Sequence, residues 1–259
     1  NNATKVTVDG ANPKVAMFTS TFPIVTKSIY ARTVSGTGTV YLGEGNINGV
    51  LSNVTEQWQR FEITNNKTAY YAVDFRGAST LTEVIIWGAQ FEQQSYATSY
   101  IPTNGEANGV TRNQDLCTNG GSLATINSTE GTLYFEGSAL ANDGTARRLA
   151  ISDGSTSNMI FIGYSASNII QFVMRSLGAL VVNSTFTVSD ITQFSKIAFK
   201  YKENSCSFWI DGVEVGTDTS ATMPIGLNNL LFAQGDMATP FFGKTKCLAV
   251  FPYLTDSEL

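Results

Sequence analysis

The sequence contains no histidine. That absence removes the Ser-His-Asp triad, His-ligated zinc and the usual proton shuttle near neutral pH together. Carboxylate chemistry stays open, because it needs only Asp and Glu. Charge is also scarce: 14% of residues are Asp, Glu, Lys or Arg, the formal net charge is −5, and no run of Lys or Arg occurs. A weakly acidic chain of this kind offers no electrostatic footprint to nucleic acid or to an anionic membrane. The cysteines Cys117, Cys206 and Cys247 are odd in number and widely spaced, which fits neither a disulfide framework nor a metal knuckle. Buried, inert thiols are expected, with one bridge plus one free thiol as the alternative. No stretch approaches the roughly 18 apolar residues of a membrane helix, so membrane insertion is not expected. There is no initiator Met and no signal-peptide pattern, and the chain opens on Asn1-Asn2, which reads as a fragment of a longer protein.

What is present is a β pattern. The hydrophobic share, 42% of 259 residues, is that of a folded chain with enough length for one large or two ordinary domains. Helical periodicity is nearly absent. Short alternating runs are separated by clusters of Gly, Asn, Ser and Thr, as in all-β sandwiches. From Lys196 to Lys202, Ile197, Phe199 and Tyr201 form one face, and Lys196, Lys200 and Lys202 form a wet one. The run turns through Glu203-Asn204-Ser205 into Cys206–Ile210, then through Asp211-Gly212 into Val213-Glu214-Val215, a meander. Between Tyr70 and Phe75, alternation points Tyr71, Val73 and Phe75 inward and Tyr70 and Asp74 outward. Glu83 to Phe91 is apolar on both faces, through Ile85, Ile86, Trp87 and Phe91, which predicts a strand central in its sheet. Turn formers without apolar period fill the region from Pro102 to Val110. The expected organisation is a sandwich over 1–102, a linker over 103–110 and a second sandwich over 111–259.

Two stretches carry a resemblance. Trp87-Gly88-Ala89-Gln90-Phe91-Glu92, then Ala97-Thr98-Ser99-Tyr100-Ile101-Pro102-Thr103, then Val110-Thr111-Arg112 with Asp115, resemble a junction common in phage tail fibres and related structural proteins. There it closes a jelly roll similar to carbohydrate-binding modules. Ser28-Ile29-Tyr30-Ala31-Arg32 and Glu56-Gln57-Trp58-Gln59-Arg60-Phe61 match the same pattern. The second stretch is Glu130-Gly131-Thr132-Leu133-Tyr134-Phe135-Glu136, with Ile197 to Gly212 and Gly243 to the closing Leu254-Thr255-Asp256-Ser257-Glu258-Leu259. It resembles a concanavalin A-like, laminin-G-like sandwich. The implied fold is all-β, two antiparallel β-sandwiches: a jelly roll, then a concanavalin A-like domain. The implied setting is a non-enzymatic segment on the virion surface, outside the cell, that helps recognise a host cell-surface glycan. The implied partners are other virion tail proteins and further copies of the chain, as a homo-oligomer, a trimer. An accessory binding region of a secreted bacterial enzyme or adhesin, or a purely architectural spacer, has the same sandwiches. Fold alone carries no binding residue across.

Candidate residues follow from chemistry. Related sandwiches include glycoside hydrolases with acids in an E-x-D-x-x-E run, where strand alternation aims both at one sugar. No such run exists here; Asp211/Glu214 and Asp256/Glu258 come nearest, in turns or at the terminus, and read as solvated. No cofactor is expected. If calcium were bound, the loop oxygens of Asp143, Asp153, Asn158 and Asp236 would be its donors, though no EF-hand spacing links them. A sugar presents apolar C–H faces and hydroxyl edges, so its site needs an aromatic ring flanked by polar groups. Tyr30, Arg32, Tyr41, Tyr70 and Asp74 meet that need in the first domain. Arg147, Arg148, Asn158, Tyr164 and Arg175, expected on loops or wet faces, meet it in the second. Trp87 is expected in the core, Trp58 in a structural role, and Trp209 facing outward or an interface.

Overall fold

The computed structural model describes residues 3–10, 13–18, 24–44, 49–65, 70–106, 109–111, 113, 117 and 120–259, without the side chains of 16–18, 65, 70 and 71. The chain divides into two compact units, Asn1–Arg112 and Asn113–Leu259. Both are antiparallel β-sandwiches. Arg112 and Asp115 of the junction motif lie outside the described residues.

The first unit comprises β1 (Thr4–Thr7), β2 (Lys14–Phe18), β3 (Val25–Arg32), β4 (Gly38–Gly43), β5 (Val50–Val54), β6 (Gln59–Asn65), β7 (Tyr70–Asp74) and β8 (Glu83–Glu92). One sheet runs β1-β8-β3-β6 and the other β2-β7-β4-β5. Ile29, Ala31 and Val84 of the first meet Val40, Leu42, Val54 and Val73 of the second in a closed apolar core. β8 is an inner strand, as its two apolar faces predict. A bulge explains them further. Tyr30 pairs with Trp87, but Ser28 pairs with Gln90, so one extra residue enters β8 at this point. Val84 and Ile86 reach the core before the bulge, and Phe91 reaches it after, so inward parity switches within the strand. Gly88 occupies the bulge at φ +62°, a conformation that favours glycine. A Cβ there would lie 3.2 Å from the Tyr100 ring and 3.3 Å from the Tyr30 ring.

The second unit comprises β9 (Glu130–Ala139), β10 (Arg147–Ser152), β11 (Met159–Ala166), β12 (Ile169–Ser176), β13 (Ala179–Thr187), β14 (Ser195–Lys202), β15 (Cys206–Ile210), β16 (Val213–Asp218), β17 (Asn229–Leu231) and β18 (Gly243–Phe251), then a 3-10 turn at Asp256–Glu258. Two five-stranded sheets face each other, β13-β12-β11-β10-β17 and β16-β15-β14-β9-β18. Between them Phe172, Phe199 and Phe208 form a triangle with ring centroids 5.0 to 5.8 Å apart, tilted or edge-on as aromatic quadrupoles prefer. Ile197, Phe199 and Tyr201 are fully buried, as alternation along β14 predicts.

The opposite face of β14 departs from expectation at Lys200, which is 4% exposed rather than wet. The C-terminal segment covers it: Asp256 pairs with its ammonium at 2.5 Å, and the Tyr253 ring lies 4.7 Å away. A terminal strap is invisible to strand periodicity. Trp209 is likewise buried on that face, donating its indole N–H to Ser207 Oγ at 2.8 Å. The three cysteines are free.

Candidate functional site

Alternation along β10 to β13 divides the side chains of one sheet of the second unit between two faces. Leu149, Ile151, Ile160, Ile162, Ile170, Phe172 and Met174 enter the core. The other face carries a second, smaller apolar cluster, Ala150, Met159, Phe161 and Val173, each no more than 4% exposed. Register lines these up in rungs across the sheet. Ala150 pairs with Phe161, Phe161 with Val173, and Val173 with Asn183. On one side of that row, Arg148 pairs with Gly163 and Gly163 with Gln171. On the other, Met159 pairs with Arg175 and Arg175 with Leu180. The result is a groove of about 420 Å³ with an apolar floor, one arginine at each end, and Gln171, Asn183, Thr156, Gln234 and Asp236 along its edges.

The parts are held in place by bonds that do not use up the groove. The Arg148 guanidinium lies 4.7 Å from the Phe161 ring centroid, a cation–π contact that roofs the ring. Gly163 leaves room for it: a Cβ there would stand 2.4 Å from the Arg147 carbonyl oxygen and 3.2 Å from Arg148 Cγ. Arg175 donates one weak bond, 3.3 Å, to the Gly178 carbonyl. Gln171 Nε2 donates to Asn183 Oδ1 at 2.8 Å, fixing both amides on the rim. The wall formed by 234–239 is preorganised. Asp236 Oδ1 accepts the Ala238 N–H at 3.1 Å, and Met237 and Thr239 hold positive φ of 68° and 52°. The turn packed against it, 153–158, is built around Asp153, whose carboxylate accepts from Ser155 and Asn158. Those bonds outweigh partial burial and hold the Asp153 carboxyl below its ordinary range.

Asn158 is a bolt rather than a ligand. It is 6% exposed, and its Oδ1 accepts the N–H groups of Leu177, at 3.0 Å, and Ile225, at 3.3 Å. Arg147 and Tyr164, expected on wet faces, stand opposite each other on the core side of β10 and β11. Arg147 is fully buried and donates to the Thr145 carbonyl and to Asp143 Oδ1, each at 2.9 Å. Burial pushes the Tyr164 hydroxyl well above the usual tyrosine range, against Phe241. The loop carboxylates are therefore dispersed: Asp143 serves Arg147, Asp153 serves Asn158, and Asp236 serves Ala238. Among the described residues no three His, Cys, Asp or Glu groups converge.

In the first unit the predicted set falls on two different sheets. Tyr30 and Arg32 belong to β3, whereas Tyr41 is on β4 and Tyr70 and Asp74 are on β7. The Tyr70 side chain lies outside the described residues. Asp74 is fully buried, not outward, because Arg76 grips it through two nitrogens at 2.7 to 3.2 Å. Tyr41 is half-buried opposite Asp74 and Leu51. Tyr30 stacks on Trp87 at 5.2 Å, and Trp87 stacks on Tyr100 at 4.6 Å. Gln90 Oε1 accepts the Ile101 N–H at 2.8 Å and the Glu92 carboxylate accepts the Thr98 N–H at 3.0 Å. The junction motif is thus a clasp that ties residues 97–101 onto β8. Trp87 is half-buried in this clasp, outside the core cluster. Arg32 lies 5.4 Å from the ring of Trp58, which is 45% exposed, and that pair is the open aromatic surface of this sheet.

Comparison with known proteins places the second unit. Residues 122–258 match the family profile described as the concanavalin A-like lectin/glucanases superfamily. No curated protein matches the sequence. Among solved structures, the CBM40 of the Ruminococcus gnavus IT-sialidase is 17% identical, with TM-score 0.44, over 51% of this chain and 81% of that one. A leech intramolecular trans-sialidase is 21% identical, with TM-score 0.42, over 51% of this chain and 23% of its own. Sheep galectin-11 is 10% identical, with TM-score 0.38, over 55% of this chain and 100% of its own.

Proposed function

This chain belongs to the concanavalin A-like lectin/glucanases superfamily, its match spanning residues 122–258, and we propose that it is a non-catalytic glycan-binding segment of a phage tail fibre. The observation that carries the reading is the groove on β10–β13. Met159, Phe161 and Val173 are packed shut beneath it, and the surface the groove presents is mainly polar: the amides of Gln171 and Asn183 and the guanidiniums of Arg148 and Arg175 suit the hydroxyl edges of a sugar. Nothing in the groove supplies a pair of facing acids, because Asp236 is its one carboxylate. The acid pairs of the sequence are spent elsewhere: Asp211 Oδ1 caps the Lys196 N–H, and Glu258 accepts from Thr255.

The tail-fibre assignment rests on the resemblance of the junction motif and on its clasp. In that setting the segment stands on the virion surface among other tail proteins, as a homotrimer, and several weak sites act together on a host cell surface. Arg32 with the exposed Trp58 is a second platform proposed for the first unit; Tyr41 lies on the other sheet. The experiment is a glycan array probed with the whole chain, with and without calcium, alongside binding to intact bacterial cells. Saturable binding weakened about tenfold by Gln171→Ala, and unchanged by Arg32→Ala, assigns the groove. Loss on Arg32→Ala alone moves the site to the first unit. No binding to any glycan or cell sinks the lectin reading in favour of an architectural spacer. Light scattering tests the trimer. Neighbouring genes for virion structure rather than for polysaccharide breakdown separate a tail fibre from an accessory region of a secreted enzyme or adhesin.

A further inference from the structure

The two arginines of the groove are electrostatically out of place. Elsewhere in the unit, half-buried or buried cations are paired: Arg147 with Asp143 at 2.9 Å, Lys200 with Asp256 at 2.5 Å. Among the described residues, neither Arg148 nor Arg175 makes an ion pair. Arg148 is adjacent in sequence to the paired Arg147, yet alternation sends it to the opposite face, onto Phe161 rather than onto a carboxylate. The register then sets Arg175 two strands away, across the same apolar floor. Two like charges that share one half-buried groove repel each other at a cost in free energy. Burial lowers the proton affinity of Arg148, Asp236 raises it, and the charge of Arg175 lowers it again. The chain as a whole carries a net charge of −5, so this concentration of cations runs against its overall balance. The fold does not require it either, since the groove walls are fixed by the bonds of Asp153 and Asp236.

We infer that the groove takes an acidic glycan, whose anionic groups are held by the guanidiniums of Arg148 and Arg175 at its two ends. The inference rests on the glycan reading above and narrows it. The planar fork of a guanidinium matches the two oxygens of a carboxylate, or two of a sulfate or phosphate. The Arg148 guanidinium already covers the Phe161 ring of the floor, so the sugar is held at the rim, where Gln171 and Asn183 take its hydroxyls. Asp236, beside Arg148, disfavours a second anionic group at that edge and accepts a hydroxyl instead.

The test uses an array of carboxylated, sulfated and neutral oligosaccharides, then calorimetric titration of the strongest acidic binder. For a carboxylated binder the same oligosaccharide is also titrated after reduction of its carboxyl groups to alcohols; for a sulfated one, after desulfation. Binding confined to the acidic set is expected, weakened by salt and lost on neutralisation. Arg148→Gln and Arg175→Gln each lower affinity about tenfold, and Arg148→Lys keeps part of it. Arg175 carries only one weak bond, so the thermal unfolding of Arg175→Gln is expected to match the parent and separates lost recognition from lost folding; Arg148→Gln also loses its contact with Phe161 and is expected to unfold slightly earlier. Equal affinity for the neutralised sugar, or neutral glycans bound and sensitive to Gln171→Ala but not to the arginine changes, overturns the acidic inference and leaves the glycan reading standing. Binding to no glycan ends both.

Discussion

Replacing Asn158 by alanine tests how the groove is held. Its side chain makes three bonds: Oδ1 accepts from the Leu177 and Ile225 N–H groups, and Nδ2 donates to Asp153 Oδ2 at 3.0 Å. Alanine keeps none of them. At about 1 kcal/mol net per intramolecular hydrogen bond, the loss is about 3 kcal/mol. The consequence is also local. Leu177 and Gly178 turn β12 into β13 with φ of 50° and 85°, and Leu177 has no glycine-like freedom at such an angle. Its amide bond to Asn158 helps hold the strained turn, and Arg175 and Leu180 of the groove stand beside that turn. Thermal unfolding of the second unit is expected to fall by roughly 10 °C. Hydrogen exchange read by mass spectrometry is expected to lose protection first at Leu177 and Ile225, and any glycan affinity of the groove is expected to drop with it. An unfolding midpoint within about 0.5 kcal/mol of the parent, or unchanged exchange at these two amides, would show that Asn158 bears no such load.

Other outcomes follow from the same geometry. Tyr100→Ala removes the ring stacked on Trp87, and is expected to lower the unfolding temperature of the first unit while the second is unmoved, a change readable by calorimetry. The Asp153 carboxyl sits below its ordinary 3.8, so the folded state binds its proton less readily than the unfolded chain does. Its contribution is therefore complete above that value and disappears as pH falls through the depressed folded value. Asp153→Asn is expected to flatten that part of the acid-unfolding curve. Burial pushes the Cys206 thiol up to about 11, so a thiol reagent at neutral pH is expected to spare it in the folded protein and label it after denaturation. Phe172→Ala, at the centre of the phenylalanine triangle, is expected to cost about 3–5 kcal/mol in denaturant titration.

Alternation made the sandwiches legible, and it failed where parity could not be phased. The doublet Arg147-Arg148 shows why. Arg147 shares a face with Leu149 and Ile151 and Arg148 with Ala150, but Leu149, Ala150 and Ile151 make both faces of that run apolar, and sequence alone does not say which of them meets the core. Both were expected on a wet face, and the register sends Arg147 inward, beside Asp143. Phe161 and Val173 look like further core residues, because β11 and β12 are apolar on both faces; only pairing between strands gathers them into a floor. The Gly88 bulge shifted parity inside one strand, and Lys200 was covered by a residue 56 positions downstream that periodicity does not register. Tyr30 was rightly placed off the core but is occupied in the clasp. A signal for the clasp was present: Gln90 and Glu92 are polar residues that follow the apolar run Val84 to Ala89 in β8, and each binds the returning backbone.

The absence of a side chain at Gly163 has a consequence for how this surface can change. The floor dips at that rung, and the backbone sets the dip, since a single added methyl would run into the Arg147 carbonyl oxygen at 2.4 Å. Depth at this point is not a quantity that substitution can adjust by degrees. Variation that retunes the groove is channelled to its walls, where the turns at Asp153 and Asp236 satisfy their own amides and leave Thr156 and Gln234 free to be exchanged. A lineage of such chains would keep its floor and diversify its rim.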